Sequence, residues 1–312
     1  MKSIKLPNRY KNDVKLLYVK RDGDFYVFKP DNSFVWNYCQ IMYDNNKNQI
    51  GIDPEGGPYM MNGYKINKMV LDHFDKEGNL YFKKKISYKI GAMSDLHGFL
   101  PEAKDVEGCD IMCICGDIMP LEIQKDYTQS FIWLKENFFP WIKDLPCEKV
   151  FLIGGNHDWF LENVTTKAIN RICKENLYCD KLIYLNNTLY EYDGIKIYGC
   201  PQVENLDNWA FYTESGDEYR NIPQCDILLT HMPPAIRNLG YIPKYGDFGS
   251  IELKRVLDRH KIKLWFCGHM HEGNHEIVEF NGCKLKNVSI KNDDYQPVNP
   301  ITYIDYEIKE NN

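Results

Sequence analysis

An α/β fold, with two sheets packed between flanking helices, is what this sequence predicts, and three observations predict it. Short apolar runs recur along the chain, and each ends in a cluster of polar residues. Stretches with apolar residues at helical spacing lie between them. The 312 residues are 44% hydrophobic and 14% aromatic, enough to build a sizeable core. The predicted strands span residues 86–93, 110–115, 149–153, 225–230 and 263–267. A helix over 130–142 places Phe131, Leu134, Phe138 and Trp141 near one face, with Pro140 set to kink or end it. A second helix over 251–260 carries Leu253, Val256 and Leu257 on one stripe. A late hairpin turns at Asn281-Gly282, and a final strand covers 301–304. The chain shows no repeat and no low-complexity segment.

Residues 1–85 read differently and are expected to form a β-rich N-terminal extension to the domain over 86–312. Arg21-Asp22-Gly23-Asp24, between two apolar runs, predicts a hairpin. Lys76-Glu77-Gly78-Asn79 predicts another, while 44–48 and 54–58 read as loops. Lys83-Lys84-Lys85, the longest basic run, reads as a solvated strand edge. The 11 cysteines form no Cys-x-x-Cys pair and sit among β-branched and aromatic neighbours, so reduced core thiols are expected. A net charge of −6 argues against a surface that tracks nucleic-acid phosphates throughout. No run reaches the ~18 apolar residues of a transmembrane helix. The start, Met1-Lys2-Ser3-Ile4-Lys5, lacks the apolar stretch of a signal peptide, so a cytoplasmic protein is expected.

The chemistry is concentrated where the predicted strands end. The first is followed by Ser94-Asp95-Leu96-His97, the second by Gly116-Asp117 and the third by Gly155-Asn156-His157-Asp158. The fourth is followed by His231 and the fifth by Gly268-His269-Met270-His271. Five of the eight histidines lie in these clusters. Ligands of open α/β sheets bind at the carboxyl ends of strands. A mixed set of carboxylate, imidazole and amide oxygen suits first-row divalent metals rather than Ca²⁺ or a thiolate site. Asp-x-His and His-x-His are expected to use the period-two alternation of a strand to aim both side chains one way. Glycine before Asp117 and before Asn156 is expected to let the backbone turn and approach the ions.

The order Asp-x-His, Gly-Asp, Gly-Asn-His-Asp, His, Gly-His-x-His resembles that of the calcineurin-like metallophosphoesterases. Tyr198-Gly199-Cys200-Pro201, Asn208-Trp209-Ala210-Phe211-Tyr212, the stretch Ile222-Pro223 through His231-Met232-Pro233-Pro234, and Gly268-His269-Met270-His271-Glu272-Gly273 narrow the likeness. They resemble the metallophosphoesterase-domain-containing subgroup, itself similar to class III cyclic nucleotide phosphodiesterases. The resemblance implies that Asp95, His97 and His271 hold one metal and that Asn156, His231 and His269 hold a second. It implies that Asp117 bridges both and that His157 sits over the substrate. The Asp and Arg-Gly that protein Ser/Thr phosphatases carry after the bridging Asp are absent from Asp117-Ile118-Met119-Pro120-Leu121.

The resemblance further implies two divalent transition-metal ions, with Mn²⁺ expected first and Fe, Zn²⁺ or Ni²⁺ accepted by the same ligands. It implies hydrolysis of a small phosphodiester, a cyclic nucleotide among them, by in-line attack of a metal-bridging hydroxide. His157 would stabilise the transition state or protonate the leaving oxygen, with Asp158 either its electrostatic support or a helix cap. Asn156, His157 and Trp209 are the expected substrate contacts. The aromatics of 202–219 either stack on a base or pack their loop onto the sheet. A nuclease or a phosphomonoesterase of the same superfamily is the alternative enzyme. A silent binding module is the alternative of another class. The expected partner is a small phosphodiester or nucleotide, with neither nucleic acid nor membrane favoured.

Overall fold

The computed structural model describes residues 86–177 and 181–308 and, before them, the backbone of eight strands. The chain divides into two compact units, one built on Met1–Ser87 and one on Tyr88–Ile308.

In the first unit, β1 (Lys2–Lys5), β2 (Leu17–Arg21), β3 (Asp24–Phe28), β4 (Ile41–Tyr43), β5 (Gln49–Ile52), β6 (Pro58–Met60), β7 (Met69–Phe74) and β8 (Asn79–Lys84) are all strands. Six of them form one sheet in the order β6-β5-β4-β1-β8-β7. The expected first hairpin is β2–β3, where Arg21 pairs with Asp24 across the turn. The second is β7–β8, which begins at Met69 and carries a register shift between Leu71 and His73. The expected loop at 44–48, most of the one at 54–58, and Lys85 lie outside the described residues.

The second unit alternates strands and helices. Its elements begin with β9 (Ser87–Met93), β10 (Cys109–Cys115), α1 (Tyr127–Trp133), α2 (Phe139–Asp144), β11 (Cys147–Ile153), α3 (Trp159–Asn163) and α4 (Thr166–Leu177). There follow β12 (Leu182–Tyr184), β13 (Thr188–Tyr192), β14 (Ile195–Cys200), α5 (Asp217–Arg220), β15 (Ile227–Thr230), β16 (Tyr241–Ile242) and β17 (Gly246–Asp247). Last come α6 (Ile251–Lys254), α7 (Val256–Arg259), β18 (Leu264–Cys267), β19 (Val278–Phe280), β20 (Cys283–Asn287) and β21 (Thr302–Glu307). One mixed sheet runs β12-β11-β10-β9-β21 and the other β13-β14-β15-β18-β20-β19. Strands β9 to β12 pair in parallel, as do β14, β15, β18 and β20, so their carboxyl ends point one way within each sheet.

Alternate residues build three cores, as a strand's period of two requires. Ile90, Ala92, Ile111, Cys113 and Phe151 of one sheet meet Ile197, Ile227, Leu229 and Phe266 of the other. Met112, Ile114 and Leu152 face outward onto Phe138, Ile142, Leu161 and Ile169 of the helices. Leu228 and Trp265 face the opposite helical layer at Leu253, Val256 and Leu257. The nine described cysteines are free thiols, seven of them buried. No helix among the described residues is long and apolar enough to cross a membrane.

Two expected helices are broken. Between α1 and α2 the chain takes a π turn over Leu134–Phe138, and Pro140 then sits at the start of α2, where its missing N–H costs nothing. Phe131 consequently stays exposed, stacked on Phe160. The second helix is split into α6, capped by Ser250, and α7, although Leu253, Val256 and Leu257 are buried as their spacing requires.

Candidate metal centre

The five polar clusters converge where the two sheets meet. The segments after β9 and β20 join there: Ser94 N donates to Val288 O at 2.9 Å and Ile290 N to Ser94 O at 3.1 Å. The backbone does not aim the ligands by strand alternation, as the sequence reading expected. Asp95, His97, Asp117 and His269 lie beyond the strands with φ of 57°, 40°, 52° and 71°. Each therefore adopts the left-handed conformation, which costs of order 1 kcal/mol or more for a residue with a Cβ. Backbone bonds hold two of them: Asp95 N donates to Gly116 O at 3.0 Å and His97 N to Asp117 O at 2.9 Å. The two glycines do different work. Gly116 makes its turn at φ +95°. Gly155 provides room, because a Cβ there would strike Asp117 Oδ1 and His231 Cε1.

Asp95, His97 and His271 form one group of close donor atoms, Asp117, His231 and His269 a second, and His97, Asp117 and His157 a third. His97 Nε2 is 3.4 Å from His271 Nε2, and His271 Nε2 is 3.5 Å from Asp95 Oδ1. His231 Nε2 is 3.2 Å from Asp117 Oδ2 and 3.0 Å from Asn156 Oδ1. His97 Nε2 lies 3.8 Å from the same Asp117 oxygen. Metal–ligand bonds of about 2.0–2.2 Å put neighbouring donors roughly 3–3.5 Å apart, so these spacings fit divalent ions. Asp95 and Asp117 are buried carboxylates among imidazole rings, an arrangement that cations relieve.

The second nitrogen of two of the rings is engaged. His231 Nδ1 donates to Cys115 O at 2.7 Å and His271 Nδ1 to Asn292 O at 3.0 Å, which leaves Nε2 as the ligand atom. Ser289 Oγ donates to Asp95 Oδ2 at 2.5 Å, and Lys291 Nζ to His97 O at 3.2 Å. His275 lies at 2.8 Å from the His271 carbonyl through Nε2. His97 Nδ1 is buried with no partner.

Burial lowers His97 and His269, to about 4 and about 3, which keeps both rings neutral and their lone pairs available. Burial also opposes charge on His231, but the Asp117 carboxylate outweighs it and raises that ring to about 9. Burial raises Asp95 and Asp117, yet the bond from His271 in the first case and the charge of His231 in the second hold both well below the usual carboxylate range.

His157 stands at the edge of this cluster. Its backbone N donates to Asp117 Oδ1 at 2.8 Å, and its Nε2 lies 3.9 Å from Asp117 Oδ2. Its ring packs against Trp209 at 4.6 Å between centroids. Phe211 and Tyr219 from the same loop are buried in the cores, whereas Tyr212 is exposed. Asp158 is turned the other way. Its oxygens accept from Ile118 N at 3.0 Å, Met119 N at 3.1 Å and Gly155 N at 2.9 Å. It makes no side-chain cap on α3. Asp158 thus ties the segment after β10 to the one after β11, and burial followed by the Asp117 charge pushes its carboxyl up to about 7.

A cavity of about 230 Å³ opens over the cluster, lined by Asp117, Asn156, His157, His269, His271 and Tyr295 among others. Tyr295 sets its ring edge-on to His97 at 4.9 Å and to His271 at 5.4 Å. Glu272, Asp293 and Ile242 complete the rim. Sequence reasoning missed Ser289, Asn292, Tyr295 and Gln124. Ser289 follows β20, so the strand-end rule that found the ligands would have found it too.

Residues 88–273 match the family described as calcineurin-like phosphoesterase. Human metallophosphoesterase domain-containing protein 1 is 27% identical over 226 residues, covering 65% of this chain and 66% of that protein. The Caenorhabditis elegans UPF0046 protein T07D4.2 is 28% identical over 219 residues, covering 59% of this chain and 53% of that one. The chain thus spans a little under two thirds of the length of the human relative. Among solved structures, the phosphopantetheinyl hydrolase of Mycobacterium tuberculosis is similar with a TM-score of 0.41 at 15% identity, over 66% of this chain and 90% of that one.

Proposed function

The chain belongs to the calcineurin-like phosphoesterase family, and on that premise we propose that it is a two-metal hydrolase of a small phosphodiester. The observation that carries this reading is that Asp117 groups closely with His231 and His269 and also with His97, which in turn groups with Asp95 and His271. Asp95, His97 and His271 would hold one ion, Asn156, His231 and His269 the other, with Asp117 between them. Such a pair supplies Lewis acidity to phosphoryl oxygens and activates water as the nucleophile. The chain's own residues do the rest. His157 lines the cavity with its Nε2 3.9 Å from Asp117 Oδ2, where the ring, once it carries a second proton at Nε2, can give that proton to a leaving oxygen. Trp209 packs against that ring and offers a face to the substrate's substituent. Tyr295 lines the cavity beside His97 and His271.

Two features favour a small substrate over nucleic acid. The 230 Å³ cavity is below the usual range of about 300–1,000 Å³ for ligand pockets. Glu272 and Asp293 on its rim repel a polyanion that tracks past the site. A cyclic nucleotide meets both conditions, and the mixed oxygen-and-imidazole set accepts Mn²⁺ as it does Fe, Zn²⁺ or Ni²⁺.

The test is hydrolysis of bis-p-nitrophenyl phosphate beside p-nitrophenyl phosphate by metal-stripped protein with Mn²⁺ restored. Cyclic nucleotides and single-stranded DNA are assayed in parallel. Metal-dependent diester turnover is the expected result. Turnover of the monoester alone would make the protein a phosphatase. No turnover with both ions bound would make it a binding module.

A further inference from the structure

We propose that Gln124 is the positioning residue for His157: it decides which ring nitrogen carries the proton and turns the other nitrogen to the cavity. The role rests on the reading of His157 given above. Gln124 sits in the turn between β10 and α1. Its amide nitrogen donates to Leu121 O at 2.9 Å, which fixes the amide's orientation. Its Oε1 then faces His157 Nδ1 at 2.6 Å. An amide oxygen only accepts, so Nδ1 must be the nitrogen that bears hydrogen. Nε2 is left facing the cavity, and at 3.9 Å from Asp117 Oδ2 it makes no hydrogen bond there.

The same turn braces the ring from a second direction. Lys125, the next residue, places Nζ 5.3 Å over the Trp209 ring and 5.3 Å over that of Trp159. Trp209 in turn packs on His157, and His97 meets the opposite edge at 4.7 Å. The partner of His157 Nδ1 is an uncharged amide. It orients the ring without adding negative charge beside a cluster that already holds Asp95 and Asp117.

The experiment uses the full chain loaded with diamagnetic Zn²⁺ and labelled with ¹⁵N-histidine. Long-range ¹⁵N–¹H correlations report the tautomer of His157, assigned by its loss in His157→Ala. The wild type is expected to show Nδ1–H. Gln124→Met, close in volume but with no oxygen, is expected to lose that signature. Its kcat on bis-p-nitrophenyl phosphate should fall about tenfold with KM and metal content unchanged, the rate equivalent of one hydrogen bond. Gln124→Glu keeps an acceptor and should restore both signature and rate to within about threefold. An Nε2–H tautomer in the wild type, or an unaltered signature and kcat in Gln124→Met, would overturn the proposal. Should Gln124→Met not fold, the wild-type tautomer and Gln124→Glu still decide it. A wild type that hydrolyses no phosphoester would remove the functional reading, while the tautomer measurement would still decide what Gln124 does.

Discussion

The floor of the cavity and its walls are built on different principles. The floor is made of residues that directly follow strands, and Asp95, Asp117, Asn156 and His231 are all at most 4% exposed. Their geometry is inherited from two sheets and three packed cores, so a ligand there moves only if a strand end moves. The walls are made of loops. Tyr295 lines the cavity from one connection, while Gln124 and Trp209, from two others, reach it through His157. A floor so constrained suits chemistry that tolerates little displacement, while walls on loops suit selection among substrates. The floor should therefore govern metal content and turnover, and the walls should govern KM and proton transfer.

Substitutions can break or sharpen that division. The largest effect belongs to Asp117→Asn, which removes the carboxylate between both groups of ligands. Metal content, read by mass spectrometry of the intact protein, should fall at both positions, and hydrolysis should fall about 10³-fold. Loss of a single ion would mean that Asp117 is not shared.

His157→Ala tests the border between floor and wall. It should keep both ions and lose about 10²-fold in kcat. If an ion leaves with it, His157 belongs to the floor, beside His97 and Asp117, with which it also forms a cluster of donors.

Asp158→Ala separates support from chemistry. Three buried backbone N–H groups lose their acceptor, so stability should fall by about 3 kcal/mol in denaturant titration. The folded fraction should retain its ions and most of its turnover. A loss of kcat at full folding would instead give Asp158 a direct role.

The smallest effect belongs to Tyr295→Ala at the wall. KM should rise a fewfold with kcat and metal content unchanged, since only a half-exposed ring is lost. An ion lost with that ring would break the division between floor and wall.

Floor and walls also differ in how far they are legible from sequence. Each candidate ligand is announced locally: an apolar run names a strand, and the polar residue after it names the site. Asp95, His97, Asp117, Asn156, His231, His269 and His271 could all be read that way. The conformation could not, because the left-handed turns at Asp95, His97, Asp117 and His269 replace the expected strand alternation. Nothing near Asp158 distinguishes a helix cap from a staple between two loops, since both need only a buried carboxylate facing backbone N–H groups.

The sequence by itself determined the kinds of donor atoms, their order, and the strands that carry them, because those depend on neighbours one to four residues apart. Only the tertiary structure decided which donors lie within reach of one another and what stands over them. Gln124 meets His157 across 33 positions and Ser289 meets Asp95 across 194. Loop residues that meet at such separations leave no periodic trace, because it is the pairing of strands within a sheet and the packing of the two sheets, and not the local chain, that bring them together.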